Sequence, residues 1–254
     1  MAHQPLRRIV PNADTAILFI HGIVGTPDQF RDLLPLVPKD WSCVNLLLPG
    51  HGGSVTDFSH TSMAAWRSYV RQQVDDLAAT HRRVLLVGHS MGTLFCIDES
   101  LRNCGAIQGL FLLACPLYPQ LTLLATAQSL QVAFGIRGCN EEKQAAYKAC
   151  SIHATPKLWK YIGWIPRYLE LFQAAKSGRQ QIGQVTIPTV AVQSHRDELV
   201  SRRSCRPLED APSVTLHLLP RSRHFYYPAE DLKLLQAHFR DFLQVHTEKT
   251  TAQN

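Results

Sequence analysis

The sequence predicts an α/β fold, in which a mostly parallel central sheet is flanked by helices on both faces. Short runs rich in Val, Ile and Leu alternate with segments whose apolar residues recur every three or four positions. Strands buried on both faces have the first pattern, and amphipathic helices have the second. The alternation fails over residues 116–185, and about 70 residues is too long for a plain connection between two strands. We therefore expect a small helical cap inserted over the end of the sheet.

Six strands and three long helices follow from these patterns. The strands are expected over residues 16–21, 42–48, 83–88, 107–114, 189–193 and 214–219. The helices are expected over residues 61–80, 91–103 and 228–245. In the first helix, for example, Trp66, Val70 and Val74 recur at four-residue spacing and form one apolar face. This division assigns residues 1–115 and 186–254 to a core domain and residues 116–185 to the cap.

The composition is typical of a globular protein and does not indicate a nucleic-acid-binding patch or a zinc site. Of the 254 residues, 45% are hydrophobic and 18% are charged, which is ordinary for a globular protein. The net charge is +6, but the basic residues are scattered or paired, which favours general surface basicity over a nucleic-acid-binding patch. The seven cysteines include no C-x-x-C pair. That count and spacing favour a reduced, cytoplasmic setting and do not indicate a zinc site.

Neither a signal peptide nor a membrane span is expected. The first 14 residues lack the apolar run and small-residue cleavage site of a signal peptide. The most apolar stretch, residues 110–127, is interrupted by Pro116 and Pro119. We interpret it as a strand that runs into another element, because a membrane span needs a longer unbroken apolar run.

The most informative motif is Gly88-His89-Ser90-Met91-Gly92, which follows the buried run of residues 84–87 and precedes a predicted helix. A Gly-x-Ser-x-Gly turn between a strand and a helix exposes the serine hydroxyl on a strained backbone. The glycines are needed because a Cβ at either position would clash with neighbouring backbone. Ser90 is therefore the candidate nucleophile.

Two partners for this serine follow at the expected places in the chain. A serine hydroxyl needs an adjacent base that is itself held by an acid. In sheets of this kind the chain order is Ser, then Asp or Glu, then His. Asp197 follows the fifth predicted strand and His224 follows the sixth, at the carboxyl ends where open α/β sheets place their sites. Glu198 and Asp210 compete with Asp197 as the acid, and Asp197 is preferred.

An oxyanion hole would complete such a site. One donor is expected to be the backbone N–H of Met91, which directly follows the serine. The other is expected from the loop after the first strand, at the N–H of Ile23. We expect the neighbouring His21 and His51 to support the backbone of these loops and not to transfer protons.

On these motifs the chain resembles the α/β-hydrolase fold family, and within it the bacterial carboxylesterases and monoacylglycerol lipases. The similar segments are His21-Gly22-x-x-Gly25, Leu48-Pro49-Gly50-His51-Gly52, the Ser90 pentapeptide, the Asp197 loop and His224. The resemblance implies that Ser90 is the nucleophile, Asp197 the acid and His224 the base. It also implies that Ile23 and Met91 donate to the oxyanion and that a variable cap covers the site. Such chemistry needs no metal and no organic cofactor.

The activity expected from this resemblance is hydrolysis of short- to medium-chain acyl esters or monoglycerides through an acyl-enzyme. The same triad also serves thioesterases and acyltransferases, and a hydrolase-like fold can be a non-catalytic binder of small molecules. A complete triad and oxyanion loop favour the enzyme over the binder.

Two further groups of residues have open interpretations. In the cap, Trp159 and Trp164 are candidates to line an acyl pocket, although holding the cap together is the simpler interpretation. Loop arginines near the triad form either a solvated rim or a surface that attracts an anionic ester. They are Arg196, Arg202, Arg203, Arg206, Arg221 and Arg223.

Overall fold

A computed structural model describes residues 4–102, 105–120, 141–153, 155 and 157–251. Within these ranges seven strands form one sheet. They are β1 Leu6–Arg8, β2 Thr15–Ile20, β3 Ser42–Asn45, β4 Arg83–His89, β5 Ile107–Leu113, β6 Thr189–Ser194 and β7 Val214–Leu219. Their spatial order is β1-β3-β2-β4-β5-β6-β7, and β1 pairs antiparallel with β3 while the other neighbours pair parallel. The predicted mostly parallel sheet is therefore confirmed.

Helices cover both faces of this sheet. The α-helices are α1 Val55–Ser59, α2 Met63–Ala78, α3 Met91–Arg102, α4 Glu141–Ala149, α5 Ile165–Gln181, α6 Cys205–Glu209 and α7 Ala229–Thr251. Short 3-10 helices lie at Pro27–Phe30, Leu34–Leu36, Leu158–Trp164, Ile182–Gln184 and Arg202–Ser204. Helices α2, α3 and α5 pack on one face, and α7 packs on the other. Within the described ranges, we find no helix with the length and apolar character that crossing a membrane requires.

Successive residues of the central strands point into two separate cores, one on each face. In β2, Ala16, Leu18 and Ile20 belong to the core beneath α2 and α3, whereas Ile17 and Phe19 belong to the core beneath α7. This is the two-residue period of a strand that is buried on both faces. Every residue of β4 is buried as well, so the strand that leads to Ser90 is held from both sides.

Side-chain caps explain where two of the helices begin. The Ser62 hydroxyl accepts a hydrogen bond from Ala65 N at 3.1 Å and starts α2. At α1, Ser54 and Asp57 form a reciprocal capping box, because each side chain accepts from the other residue's backbone N–H. These bonds satisfy N–H groups that have no partner within the helix.

The structure differs from the sequence expectation at three elements. β1 is not predicted, because its three largely exposed residues carry no apolar alternation, and its place comes from pairing with β3. The strand predicted over residues 42–48 ends at Asn45, and beyond it Leu48 N donates to His21 Nε2 at 3.0 Å instead of continuing the sheet. Helix α7 continues to Thr251, past its predicted end at residue 245.

The described part of the predicted cap is helical and rests on the core. The Trp164 ring packs against Phe58 with centroids 4.9 Å apart, and its Nε1 donates to Val55 O at 3.2 Å. On α5, Gly178 lies against Leu94 of α3, where a Cβ would come within 2.9 Å of the leucine Cδ2. Residues 121–140, which the sequence also assigns to the cap, lie outside the described residues. The cap boundaries at residues 116 and 185 remain a prediction.

Phe239 provides a test of the core beneath α7. Its side chain is fully buried, and its ring centroid lies 5.0 Å from that of Phe111. We expect Phe239→Ala to lower the free energy of unfolding by about 3–5 kcal/mol, because it removes packing contacts and leaves a cavity. Equilibrium denaturation measures this change. Leu234→Ala, on the exposed side of the same helix, is the matched control and should change that free energy by less than about 0.5 kcal/mol. Equal losses in both variants would contradict this packing of α7.

Candidate active site

Ser90 lies on the sharp turn between β4 and α3. Its backbone has a φ of 52°, in the left-handed region that residues with a Cβ rarely adopt. Such a conformation costs about 1–3 kcal/mol and persists only where its surroundings hold it. Here Ser90 N donates to Leu113 O at 2.8 Å, and Ser90 O accepts from Thr93 N at 2.9 Å. The turn is thus tied to the end of β5 on one side and to α3 on the other.

The two glycines of the motif let α3 begin directly against β2. A Cβ on Gly92 would lie 1.9 Å from Ile20 O, and a Cβ on Gly88 would lie 2.6 Å from Thr93 N. Both obstructing atoms belong to backbone that is already part of a strand or a helix, so neither can move aside cheaply. The steric reason for glycine that the sequence suggests is therefore present in the structure.

Asp197 and His224 come from separate loops and meet in a buried hydrogen bond. His224 Nδ1 lies 2.8 Å from Asp197 Oδ2, and the two side chains are only 1% and 2% exposed. The other carboxylate oxygen, Asp197 Oδ1, accepts from Leu199 N and Val200 N at 2.8 Å each. Both oxygens of the acid therefore have partners, and its orientation toward the imidazole is fixed.

This pairing shifts the pKa of both members. Burial acts to raise the pKa of Asp197, but the charge of His224 and its hydrogen bonds outweigh burial and lower that pKa. Burial acts to lower the pKa of His224, and the Asp197 carboxylate reverses this and raises it above its usual value. The geometry holds an ionised acid next to an imidazole that binds a proton readily.

The backbone of His224 is held on both sides by buried ionisable side chains. Glu198 Oε2 accepts from His224 N at 3.2 Å, and His89 Nε2 donates to His224 O at 3.1 Å. The His89 and His224 rings also pack edge to face, with centroids 4.9 Å apart. Burial and the neighbouring His224 lower the pKa of His89 to about 3, so its ring is neutral, and burial raises the pKa of Glu198. These contacts connect His224 both to the Asp197 loop and to the turn of residues 88–92 that carries Ser90, which we call the elbow.

Asp231, in the first turn of α7, anchors the loop that precedes His224. Its Oδ2 accepts from Arg221 N at 2.8 Å and from both the N and the Oγ of Ser222 at 2.7 Å. Neither Asp231 nor the role of Glu198 is predicted from the sequence. The position of Asp231 at the start of a predicted helix could have indicated that its carboxylate accepts hydrogen bonds from nearby backbone N–H groups. No feature of the local sequence distinguishes Glu198 from a carboxylate on the surface.

The loop after β2 passes directly beside the elbow. A Cβ on Gly22 would lie 2.9 Å from Ser90 Cβ, so only glycine permits this approach. Gly25 N donates to Gly22 O at 3.0 Å and closes a tight turn in which Val24 has a φ of 49°. Ile23 lies inside this turn. The other predicted donor, Met91, is the first residue of α3, where backbone N–H groups have no partner within the helix.

His21 and His51 support these loops. His21 Nε2 accepts from Leu48 N at 3.0 Å, and its Nδ1 lies 2.9 Å from Gly22 O, so Nδ1 carries the proton and donates it. The His51 ring packs against His21 at 4.7 Å between centroids, and burial lowers its pKa well below the usual value. Both rings brace backbone around the candidate site, as expected from the sequence.

The cap contacts the loops on both sides of the candidate site. At one end, Glu141 Oε2 accepts from the Tyr226 hydroxyl at 2.6 Å, next to the His224 loop. At the other end, just after α4, Ser151 N donates to Val24 O at 2.9 Å. Helix α4 therefore extends from the His224 loop to the loop after β2. With nine residues it is about 13 Å long.

Among the described residues, the remaining candidates form no hydrogen bond, ion pair or ring contact with the side chains of Ser90, Asp197 or His224. Trp159 is 66% exposed on the outer side of the cap, and Trp164 packs against Phe58. Three of the six loop arginines pair with carboxylates of this chain. These pairs are Arg206–Asp210, Arg221–Glu230 and Arg223–Glu142. Within the described ranges, no group of three or more His, Cys, Asp or Glu side chains is arranged to hold a metal ion.

Comparison with known proteins gives matches in sequence and in fold. The family model described as "Alpha/beta hydrolase family" matches residues 17–244. The thermostable monoacylglycerol lipase of Bacillus sp. (strain H-257) is 29% identical over 100 residues, which cover 38% of this chain and 40% of that enzyme. The chain spans less than half the length of the curated relatives that it matches first.

Two solved structures have the same fold over nearly the whole chain. A metagenome-derived lipolytic enzyme has a TM-score of 0.69 at 18% identity, over 94% of this chain and 98% of that chain. A carboxylesterase of the thaumarchaeon Nitrososphaera gargenis has a TM-score of 0.70 at 13% identity, over 96% of both chains. At these identities the likeness is one of fold alone.

The strain at Ser90 leads to a stability prediction. Ser90→Gly should be about 1 kcal/mol more stable than Ser90→Ala, since glycine adopts a φ of 52° without a Cβ penalty. Equilibrium denaturation of the two variants measures the difference. The same pair of substitutions at Ser177, inside α5, is the control and should give the opposite order, because glycine is about 1 kcal/mol worse than alanine within a helix. If alanine were more stable than glycine at position 90 as well as at position 177, the backbone at Ser90 would not be strained.

The Asp197–His224 pair leads to a titration prediction. In the folded protein the His224 imidazole should titrate above its usual pKa of 6.5, and Asp197→Asn should lower that pKa. Because the folded pKa of His224 is raised, the contribution of its charged form to stability is complete below pH 6.5 while Asp197 stays ionised, and it is lost as the pH rises through the folded pKa of His224. Nitrogen NMR of the histidine ring measures the titration. Asp210→Asn, which removes a surface carboxylate paired with Arg206, is the control, and an equal shift in both variants would contradict the pairing.

Proposed function

Because the chain belongs to the alpha/beta hydrolase family, we propose that it is a serine hydrolase that cleaves carboxylic esters. The observation that carries the proposal is the buried hydrogen bond of 2.8 Å between His224 and Asp197, packed against the elbow that presents Ser90. A serine on a strained turn, an oriented imidazole and a fixed carboxylate are the three parts that nucleophilic acyl transfer requires.

In the first half of the reaction Ser90 Oγ attacks the ester carbonyl carbon. His224 Nδ1 is engaged by Asp197, so Nε2 is the nitrogen that accepts the serine proton. The imidazolium that forms is stabilised by the buried carboxylate, which itself stays ionised. As the carbon–oxygen bond of the ester breaks, His224 returns this proton to the departing alkoxide, and an acyl-enzyme and an alcohol result.

In the second half His224 takes a proton from water, whose oxygen attacks the acyl carbonyl carbon. The tetrahedral intermediate collapses, the proton goes to Ser90 Oγ and the carboxylic acid leaves. In both halves the negative carbonyl oxygen is stabilised by the N–H groups of Ile23 and Met91, and removing one such donor typically costs about 2.7–4 kcal/mol of transition-state stabilisation. The glycine-permitted contact between Gly22 and Ser90 supports this assignment, because it brings the Ile23 turn next to the nucleophile.

The proposed substrates are short- to medium-chain acyl esters or monoglycerides. A monoacylglycerol lipase among the relatives, and a lipolytic enzyme and a carboxylesterase among the structures of the same fold, support this class. The cap helix α4, which spans the loops around Ser90, supports selection by the size of the acyl or alcohol group.

Ser90→Ala is expected to lower kcat for a p-nitrophenyl ester of a short fatty acid by at least ~10³-fold, because it removes the atom that forms the acyl-enzyme. The variant should also lose covalent labelling by a fluorophosphonate probe. Steady-state kinetics and mass spectrometry of the labelled protein measure the two effects. Ser177→Ala is the matched control and should keep both activity and labelling.

Three results would contradict the proposal in different ways. Near-normal turnover or labelling by Ser90→Ala would exclude Ser90 as the nucleophile. Folded wild-type protein that neither turns over nor reacts with the probe would favour a non-catalytic binder. Rapid cleavage of an acyl-CoA, with no cleavage of the corresponding oxygen ester, would make the protein a thioesterase.

A further inference from the structure

The segment from the 3-10 helix Leu158–Trp164 into α5 has apolar residues on two opposite sides. On the inner side Tyr161, Trp164 and Tyr168 pack against the core. Between residues 158 and 169, five large apolar side chains are between 56% and 66% exposed, four of them on the outer side and Leu158 at the start of the segment. We call these residues the outer stripe: Leu158, Trp159, Ile162, Ile165 and Leu169. An apolar helix face normally packs against a partner, and here only the inner side packs against the chain's own core.

The outer stripe is continuous along the helical axis. A 3-10 helix has three residues per turn, so Trp159, Ile162 and Ile165 lie above one another on one side. Ile165 has helical backbone angles, with φ −52° and ψ −50°, so the axis continues into α5, where Leu169 follows one α-helical turn later. From Trp159 to Leu169 the stripe is about 18 Å long.

Such a concentration of exposed apolar side chains is unusual. Within the described ranges ten large hydrophobic residues are exposed, and five of them lie in the 12 residues from Leu158 to Leu169. Single exposed apolar residues are normal on protein surfaces, but a contiguous patch marks an interaction site. The other five are spread over the N-terminal segment, β7 and α7.

The charges around the outer stripe are positive. Lys157 and Lys160 are exposed and alternate with its residues, and Lys176 is exposed further along α5. Among the acidic groups near these helices, Glu170 is bound to Arg167 at 2.7 Å and accepts from Met63 N at 2.9 Å. Asp57 is itself exposed and ionised and caps α1 through Ser54, so it offsets part of the charge of Lys160. The three exposed lysines outnumber this one exposed carboxylate, and the charge around the outer stripe is net positive.

We propose that the outer stripe docks the protein onto an anionic lipid surface. The apolar side chains enter the boundary between headgroups and acyl chains, and Lys157 and Lys160 contact the lipid phosphates. Trp159 fits this placement because an indole has an apolar body and a polar N–H, the combination favoured at membrane interfaces. A second copy of the chain fits less well, because a two-fold contact through the same patch brings the lysines of both copies together.

Lipid docking goes beyond the proposed function, since it uses no residue of the Ser90 site. Docking through the outer stripe would place the cap on the lipid. The segment before the stripe contacts the loop after β2, where Ser151 N donates to Val24 O. Docking and hydrolysis can therefore fail separately: Ser90→Ala should bind vesicles as the wild type does. Wild-type protein that binds vesicles but does not hydrolyse esters would overturn the proposed function alone.

Tryptophan fluorescence with phospholipid vesicles tests the proposal. Of the four tryptophans, Trp41 and Trp66 are buried and Trp164 is packed against Phe58, so a change on binding reports mainly on Trp159. Vesicles of phosphatidylcholine with phosphatidylglycerol should shift the tryptophan emission to shorter wavelength, and the protein should sediment with them. With vesicles of pure phosphatidylcholine, both the shift and the sedimented fraction of protein should be smaller. Trp159→Phe should remove most of the spectral shift and leave sedimentation largely intact.

Matched variants separate the apolar and the charged contributions. The double substitution Ile162→Ser and Ile165→Ser should weaken vesicle binding at least ~10-fold. Lys157→Gln and Lys160→Gln should each weaken it about fivefold on anionic vesicles only. The control is Leu234→Ser with Val245→Ser, which changes two exposed apolar residues of α7 and should leave binding unchanged. Circular dichroism verifies that each variant is folded.

Four outcomes would overturn lipid docking. The first is absence of binding by wild-type protein, and the second is an equal loss in the stripe and α7 variants. The third is self-association in the absence of lipid that the stripe variants abolish, which would make the patch a contact between copies. The fourth is slow acrylamide quenching of Trp159 in lipid-free protein, which would mean that another part of the chain covers the stripe.

Discussion

The close approach of backbone between the end of β2 and the start of α3 is the constraint on which the rest of the site depends. A Cβ on Gly92 would lie 1.9 Å from Ile20 O, so the strand and the helix can meet only at glycine. The sharp turn after β4 leads directly into this contact, and within the turn Ser90 has a φ of 52°. The same edge of the parallel sheet carries the loops after β2, β6 and β7, because parallel strands all end on one side. The glycine-permitted contact thus places Ser90 at the same sheet edge as those loops.

Around this turn, burial and hydrogen bonding act together on the imidazole of His224. Its ring nitrogen is held by Asp197, its backbone N–H by Glu198 and its carbonyl by His89. A buried imidazole alone would lose its affinity for a proton, and the ionised Asp197 restores it. The loop itself is fixed by Asp231, so the position of the base depends on several elements that are remote in sequence. Rigidity and proton affinity therefore come from the same set of contacts.

The cap links this rigid centre to the surface of the molecule. Its inner side packs on α1 and α3 through Trp164 and Gly178, and helix α4 spans from the base loop to the turn at Val24. Its outer side is apolar and bordered by lysines. The proposed chemistry thus lies at the sheet edge, beneath α4, and the proposed lipid contact lies on the opposite side of the cap, at the outer stripe.

The sequence by itself determined the order and type of the main elements, the elbow and the acid and base candidates. These depend on local rules, namely the periods of strands and helices, the sterics of glycine and the order of loops along a parallel sheet. It did not determine how the neighbours Asp197 and Glu198 divide their roles, and only the tertiary structure shows that one holds the imidazole and the other its backbone. Nor did it separate the two sides of the cap, so Trp159 and Trp164 seemed equivalent. Long-range packing decides these points, because it selects which of two chemically similar groups is buried.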